Sequence, residues 1–123
     1  MQFKDDFYTI EASTHDEDTL VYSIVINKDH DIFNGHFPSN PVTPGVMQME
    51  IVKELVQISL EREVKLESMP TCKFLAVLNP EENANVDVLL KFIDIEDSKS
   101  KRVSVVIKNE DILFFKMSAI YSW

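Results

Sequence analysis

The sequence predicts an α+β protein in which one long helix lies against a curved antiparallel β-sheet. Residues 46–60 follow a helical pattern of apolar positions, and most of the remaining chain divides into short strand-like segments. Two of the connections between these segments are short and polar, and strands joined in this way are antiparallel neighbours. The chain has 123 residues and no Gly/Ser/Pro-rich linker, so we predict a single domain over residues 1–123.

Two strands are predicted before the helix. Residues 20–26 alternate between apolar and other side chains, whereas residues 7–12 show a less regular alternation. A loop with three prolines follows at residues 29–44. After the helix, four more strands are predicted at residues 72–78, 85–95, 102–108 and 112–121.

The helix begins where the sequence changes period, after Pro44. Nine of the fifteen positions from 46 to 60 are apolar, which predicts a helix covered on most sides by other structure. We predict Thr43 as the N-cap and Pro44 as the first helical residue, where a missing N–H costs little. The polar stripe of the helix consists of Glu50, Glu54, Gln57 and Glu61.

Composition excludes several classes of ligand. The chain has 12 Lys+Arg and 21 Asp+Glu, a formal net charge of −9, which argues against nucleic acid or anionic lipid as the main ligand. No apolar run approaches the roughly 20 residues of a membrane span, and the first residues lack a signal-peptide core. Cys72 is the only cysteine, and no Cys/His cluster has zinc spacing. We therefore predict a cytoplasmic protein without membrane insertion or a bound metal.

The loop and the start of the helix bring together three groups with useful chemistry. His36 can act as an acid or a base near neutral pH. The amide of Gly45 is an unpaired donor at the positive end of the helix dipole, and the missing side chain lets a substrate carbonyl approach it. Glu50 adds a carboxylate. A base, an oxyanion donor and a carboxylate suit removal of a proton alpha to a carbonyl, and both glycines of the chain, Gly35 and Gly45, lie in this stretch.

The same stretch resembles the signature of the β-hydroxyacyl-acyl-carrier-protein dehydratases, the 3-hydroxydecanoyl and hydroxymyristoyl types included. The resemblance rests on residues 35–38, residues 41–46 and Glu50, with His36 fourteen positions before the carboxylate. It implies a hotdog fold, in which a curved antiparallel sheet wraps a long central helix. Residues 73–80 resemble the strand that follows the helix in this family, although less closely.

The resemblance also implies a role for each site residue. His36 would remove the alpha proton of a 3-hydroxyacyl thioester, and the amide of Gly45, aided by Val46, would stabilise the thioester oxygen. Glu50 would hold or protonate the leaving water. In the family the acid comes from the partner subunit, so a homodimer with shared active sites, able to assemble further, is implied. No cofactor is implied, since the acyl chain is carried on the phosphopantetheine of acyl carrier protein.

Three positions depart from the family pattern, and other functions stay open. Ser39 stands where many members have Gly, Glu54 where Gln is usual, and residues 79–82 replace a Pro-Gly-Asp turn. The short chain and the altered turn at residues 79–82 leave room for a specialised polyketide or polyene pathway instead of fatty-acid synthesis. A hotdog acyl-thioesterase and a non-catalytic acyl-carrier-binding subunit are the alternatives.

Docking of a carrier protein poses a further question, because acyl carrier proteins are themselves acidic. Such a partner requires a local basic patch on this acidic chain. The candidates are Lys73, Lys99, Lys101 and Arg102. A scatter of solubilising charges explains the same four residues equally well.

Overall fold

The computed structural model describes residues 3–34, 42–96 and 98–123. Within these ranges the chain forms six β-strands, one α-helix and a short 3₁₀ turn at Asp31–Asn34. Two strands precede the helix and four follow it, as the sequence predicts. In chain order the elements are β1 (Tyr8–Asp16), β2 (Thr19–Ile26), α1 (Gly45–Leu60), β3 (Lys65–Phe74), β4 (Asn85–Asp94), β5 (Ser100–Lys108) and β6 (Leu113–Ser122).

The six strands form one sheet in the order β1-β2-β4-β5-β6-β3, and every neighbouring pair is antiparallel. Strands β4, β5 and β6 are consecutive neighbours, as their short polar turns predict. Among the described strands β3 pairs with β6 alone, so it lies at one edge of the sheet. The α+β prediction with an antiparallel sheet is confirmed.

The core lies between the helix and one face of the sheet. Ile51, Val52 and Leu55 of α1 are at most 1% exposed, and they belong to the same buried cluster as inward-facing residues of the strands. These strand residues alternate with exposed ones, as in β4, where Val86, Val88 and Leu90 are buried. This burial fixes which side of α1 remains available for chemistry.

The start of the helix differs from the prediction. Pro44 is the N-cap, with extended φ and ψ of −60° and 146°, and no side chain of the described residues caps the helix. Thr43 therefore does not act as the N-cap. Its backbone N–H instead donates to the carbonyl of Leu78 at 2.8 Å, which ties the start of the helix to the connection after β3.

Strand β3 also differs from the predicted range of 72–78. It begins at Lys65 and ends at Phe74, and all of its residues except Cys72 are exposed. An edge strand that buries neither of its faces shows no alternation of apolar residues. The sequence therefore does not predict the first half of β3. Strand β1 likewise extends past the predicted range to Asp16, through residues that are exposed on both faces.

Candidate active site

The first turn of α1 presents backbone donors that the helix itself does not use. The amides of Met47 and Gln48 donate to the carbonyl of Pro44 at 3.0 and 3.1 Å. The amides of Gly45 and Val46 come earlier in the first turn, where a helix offers no acceptor. No side chain of the described residues caps this end of the helix. The binding of an oxyanion by these two amides stays a prediction.

The side chain of Phe74, at the end of β3, covers Gly45. A Cβ atom added at Gly45 would lie 2.5 Å from Phe74 Cζ and 2.8 Å from Cε1, too close for any side chain without movement of the ring. Phe74 itself is 54% exposed and packs against Phe115, with ring centroids 5.1 Å apart. The immediate steric reason for a glycine at this position is therefore the Phe74 ring.

Glu50 lies one turn further along the helix, in an open groove of about 1310 Å³. It is half-buried, and among the described residues its carboxylate accepts no hydrogen bond and forms no ion pair. The pKa of the Tyr121 hydroxyl is raised, first because the tyrosine is buried and then because of the negative charge of Glu50. An unpaired carboxylate in a groove is available to a ligand. The groove is also lined by Phe3, Lys4, Val46, Met47 and Lys53.

Glu54, in the same polar stripe, has a different environment from Glu50. It is only 7% exposed, and its carboxylate accepts hydrogen bonds from the backbone N–H of Phe3 and Lys4 and from the Tyr8 hydroxyl. Burial, and then the charge of Glu54, raise the pKa of Tyr8. Glu54 thus accepts three hydrogen bonds within the fold, whereas Glu50 accepts none from the described residues.

His36, the predicted base, lies outside the described residues, as does Gly35. The flanks of their loop are described. On one side the 3₁₀ turn Asp31–Asn34 buries Phe33, and on the other Thr43 is hydrogen-bonded to Leu78. The role of His36 stays a prediction.

The four predicted docking cations occupy different parts of the sheet. Lys73 lies at the end of β3 nearest Gly45, directly opposite Lys116 of β6. Lys101 is engaged by Asp94, with Nζ 3.1 Å from Oδ1. Lys99 comes just before β5, and Lys101 and Arg102 are its second and third residues. Lys73 and Lys116 therefore form a pair of neighbouring cations, and Lys116 was not among the predicted residues.

Two more residues of the site were not predicted, and only one of them left a signal in the sequence. Gln48 is a polar residue among the buried positions of α1, 3% exposed, and its Nε2 donates to the carbonyl of Thr43 at 3.2 Å. A single polar residue within an apolar helix face is the sign that could have identified it. The position of Phe74 over Gly45 depends on how β3 lies beside the helix, and no local pattern encodes that.

The described residues provide neither a metal centre nor a membrane-spanning helix. Across residues 3–34, 42–96 and 98–123, no group of three or more His, Cys, Asp or Glu side chains is arranged to hold a metal ion. The one described α-helix is too short and too polar to cross a membrane.

Curated relatives of this chain are dehydratases. The 3-hydroxyacyl-[acyl-carrier-protein] dehydratase FabZ of Ligilactobacillus salivarius is 28% identical over 91 residues, covering 68% of this chain and 64% of that protein. FabZ of Thermoanaerobacter sp. strain X514 is 30% identical over 88 residues, covering 66% of this chain and 62% of that protein. The chain thus spans less than two thirds of the length of these relatives.

Solved structures share the fold at low sequence identity. A chain of the dehydratase heterocomplex ApeI:P from Xenorhabdus doucetiae superposes with a TM-score of 0.62 at 22% identity, over 91% of this chain and 97% of that one. A mutant of the thioesterase PA1618 from Pseudomonas aeruginosa gives a TM-score of 0.64 at 9% identity, over 94% and 79% of the two chains. Similarities at this level show the fold alone.

One protein family matches most of the chain. The family described as ApeI-like, ApeI dehydratase, matches residues 12–112, which include both helix α1 and the loop before it. The chain belongs to the ApeI-like dehydratase family.

Proposed function

We propose that this chain dehydrates a 3-hydroxyacyl thioester, carried on the phosphopantetheine of acyl carrier protein, to the trans-2-enoyl thioester and water. The reaction would serve fatty-acid synthesis or a related polyketide or polyene pathway in the cytoplasm. The proposal rests on family membership and on one feature of the site. The uncapped first turn of α1, with the amides of Gly45 and Val46, lies beside a groove that holds the unpaired carboxylate of Glu50.

Each group has one task in the proposed reaction. The imidazole of His36 takes the proton from the carbon alpha to the thioester carbonyl, and the electron pair moves toward the carbonyl oxygen. The amides of Gly45 and Val46 stabilise the negative charge that develops there. The bond from the beta carbon to the hydroxyl then breaks, and the hydroxyl leaves as water with a proton from Glu50 or His36. No step requires a metal or a redox cofactor.

The proposed architecture is the hotdog fold, with α1 as a central helix wrapped by the curved sheet, and the proposed assembly is a homodimer. Strand β3 is ten residues long, and one of its sides has no partner strand among the described residues. Such an edge pairs readily with another strand. Exposed apolar side chains follow this edge: Leu66, Met69, Phe74, Leu75 and Val77.

A second copy on this edge would bring its own residues beside Gly45 and Glu50, so that each site takes groups from both copies. The relative from Xenorhabdus doucetiae is part of a heterocomplex, so a related but different chain is the other possible occupant of the edge. The size of the assembly formed by this chain alone distinguishes the two. Carrier docking is proposed near Lys73 and its neighbour Lys116, with Lys99, Lys101 and Arg102 as the more distant cations.

Mass spectrometry of the carrier-bound acyl group tests the proposed reaction. The chain is incubated with 3-hydroxyacyl carrier proteins of several acyl lengths, and both the acyl mass and the free carrier thiol are measured. Loss of the mass of one water from one length class supports the dehydratase and identifies its substrate. Release of free thiol would assign the thioesterase alternative instead. Binding without either change would assign a non-catalytic acyl-carrier-binding subunit.

A further inference from the structure

Residues 3–8, here called the strap, form a tight turn that its own backbone stabilises. The N–H groups of Asp6 and Phe7 donate to the Phe3 carbonyl at 3.1 and 2.7 Å, and the N–H of Asp5 donates to the Tyr8 carbonyl at 2.7 Å. Asp5 has a φ of 68°, in the left-handed region that aspartate adopts more readily than most residues. The strap therefore has a defined shape.

One side of the strap is held by Glu54 of helix α1. The N–H of Phe3 donates to Oε2 at 2.7 Å, the N–H of Lys4 donates to Oε1 at 3.0 Å, and the Tyr8 hydroxyl donates to Oε1 at 2.9 Å. Hydrogen bonds to a carboxylate are stronger than those between neutral groups, and a buried carboxylate left without them would be costly. Glu54 thus anchors the strap to the helix.

The other side of the strap holds residues 27–34, the segment that leads to His36. Phe7 is fully buried, and its ring packs on those of Phe33 and His30, with centroids 5.7 and 5.3 Å away. The N–H of Asn27 donates to the Phe7 carbonyl at 2.8 Å, and His30 Nε2 lies 3.1 Å from Asp6 Oδ2. The strap therefore bridges helix α1 and this segment.

We propose that Glu54 is a positioning residue, which acts through the strap to fix residues 27–34 relative to the helix that carries Gly45 and Glu50. Asn34 is two residues before His36, and two residues span at most about 7 Å. Any displacement of residues 27–34 therefore changes where His36 can lie. The kinetic consequence rests on the proposed dehydratase function, whereas the mechanical link between Glu54 and this segment does not.

Glu54→Gln tests the link, with Glu61→Gln as the matched control. The glutamine keeps the shape of the side chain, but it replaces one acceptor oxygen with an NH₂ group that faces the donors of Phe3, Lys4 and Tyr8. Glu61 is an exposed residue at the end of the same polar stripe. Hydrogen exchange measured on the folded protein should accelerate by about tenfold or more at Phe3 and Lys4, and also at Asn27 and Phe33. The control should change none of these rates. Acceleration confined to Phe3 and Lys4 would overturn the proposal.

Steady-state kinetics supply the second arm. If the wild-type chain dehydrates its substrate, kcat of Glu54→Gln should fall about tenfold while KM stays within about twofold, because the substrate still binds but the reacting groups are misplaced. A kcat equal to that of Glu61→Gln would overturn the positioning role. If the wild type has no activity, the proposed function fails, and the exchange rates still decide whether the link exists.

Tyr8→Phe provides a milder variant if Glu54→Gln does not fold. It removes one of the three donors to Glu54 and leaves the buried ring in place. The same amides of residues 27–34 should exchange faster, by a smaller factor than in Glu54→Gln. Unchanged exchange in that segment, with faster exchange in the strap, would again contradict the proposal.

Discussion

The ring of Phe74 lies against Gly45 so closely that a Cβ atom on the glycine would be 2.5 Å from Phe74 Cζ. This contact joins the end of the edge strand β3 to the first residue of the helix. It therefore couples the proposed oxyanion donor to the strand edge where a second copy is proposed to bind.

Gly45→Ala should lower the free energy of unfolding by about 1 kcal/mol, because the methyl group displaces the Phe74 ring. The cost is modest since the ring is 54% exposed and can turn outward. In a Phe74→Ala background the same change should cost nothing or stabilise, because alanine favours helix over glycine. Urea unfolding of the four proteins of this double-mutant cycle measures the coupling. Equal effects of Gly45→Ala in both backgrounds would show that the ring does not constrain this position.

The sequence predicts most of the regular structure, for reasons visible in particular residues. Strands β2, β4, β5 and β6 each bury one face, so Tyr22, Ile24 and Ile26, for example, alternate with less buried residues. Helix α1 shows its apolar positions in the same way. Strand β3 buries almost nothing, and its first half left no pattern. Thr43 was assigned as the N-cap from residue preference alone, whereas its backbone is used in a bond to Leu78.

The site was only partly predictable for a different reason. Gly45, Val46 and Glu50 lie close together in the sequence and on the first two turns of α1, and Val46 and Glu50 line its groove. The partners of Glu54 are 46 to 51 residues away along the chain. Local pattern carries no information about such distant contacts, so the strap and the contact of Phe74 with Gly45 emerge only from the fold.

The protein should lose stability at high pH. Burial and the nearby carboxylates of Glu54 and Glu50 raise the pKa values of Tyr8 and Tyr121. In the unfolded chain both hydroxyls lose their protons near pH 10, whereas in the folded chain they keep them, so the unfolded state binds fewer protons as the pH rises. The free energy of unfolding should be unaffected by these groups below about pH 10 and fall above it, by up to about 1.4 kcal/mol per pH unit for each tyrosine.

Denaturant unfolding between neutral and strongly alkaline pH measures this dependence. Tyr8→Phe and Tyr121→Phe should each reduce the slope above about pH 10, since each removes one titrating hydroxyl. A slope that is the same in the wild type and in both variants would contradict the assignment.

Met69→Lys should weaken the proposed dimer, because it places a charge on the exposed edge of β3. Ile93→Lys is the matched control: Ile93 is 45% exposed, against 37% for Met69, and it lies on β4, which β5 and β6 separate from β3. Sedimentation velocity should show a dimer for the wild type and the control, and a dimer dissociation constant at least tenfold higher for Met69→Lys, with activity lost in parallel. A wild-type chain that stays monomeric at every concentration would refute the homodimer.

Lys73→Glu should impair reaction with the carrier-bound substrate by about threefold to tenfold in kcat/KM at low salt. The effect should disappear with a small acyl-pantetheine thioester, which has no acidic protein surface. Lys65→Glu is the control on the same strand, since Lys65 Nζ lies 3.6 Å from Glu67 Oε1. Equal effects of the two substitutions would indicate that the reaction depends on the net charge of the chain and not on the position of the lysine along β3.

The most direct test compares the wild type with His36→Ala in the conversion of a 3-hydroxyacyl carrier protein, followed by mass spectrometry. The account predicts that the wild type removes one water from the acyl group, and that His36→Ala loses this activity by about a hundredfold or more. The far-ultraviolet circular dichroism and thermal unfolding of the variant should match those of the wild type. A folded His36→Ala protein that removes water as fast as the wild type would contradict the central claim.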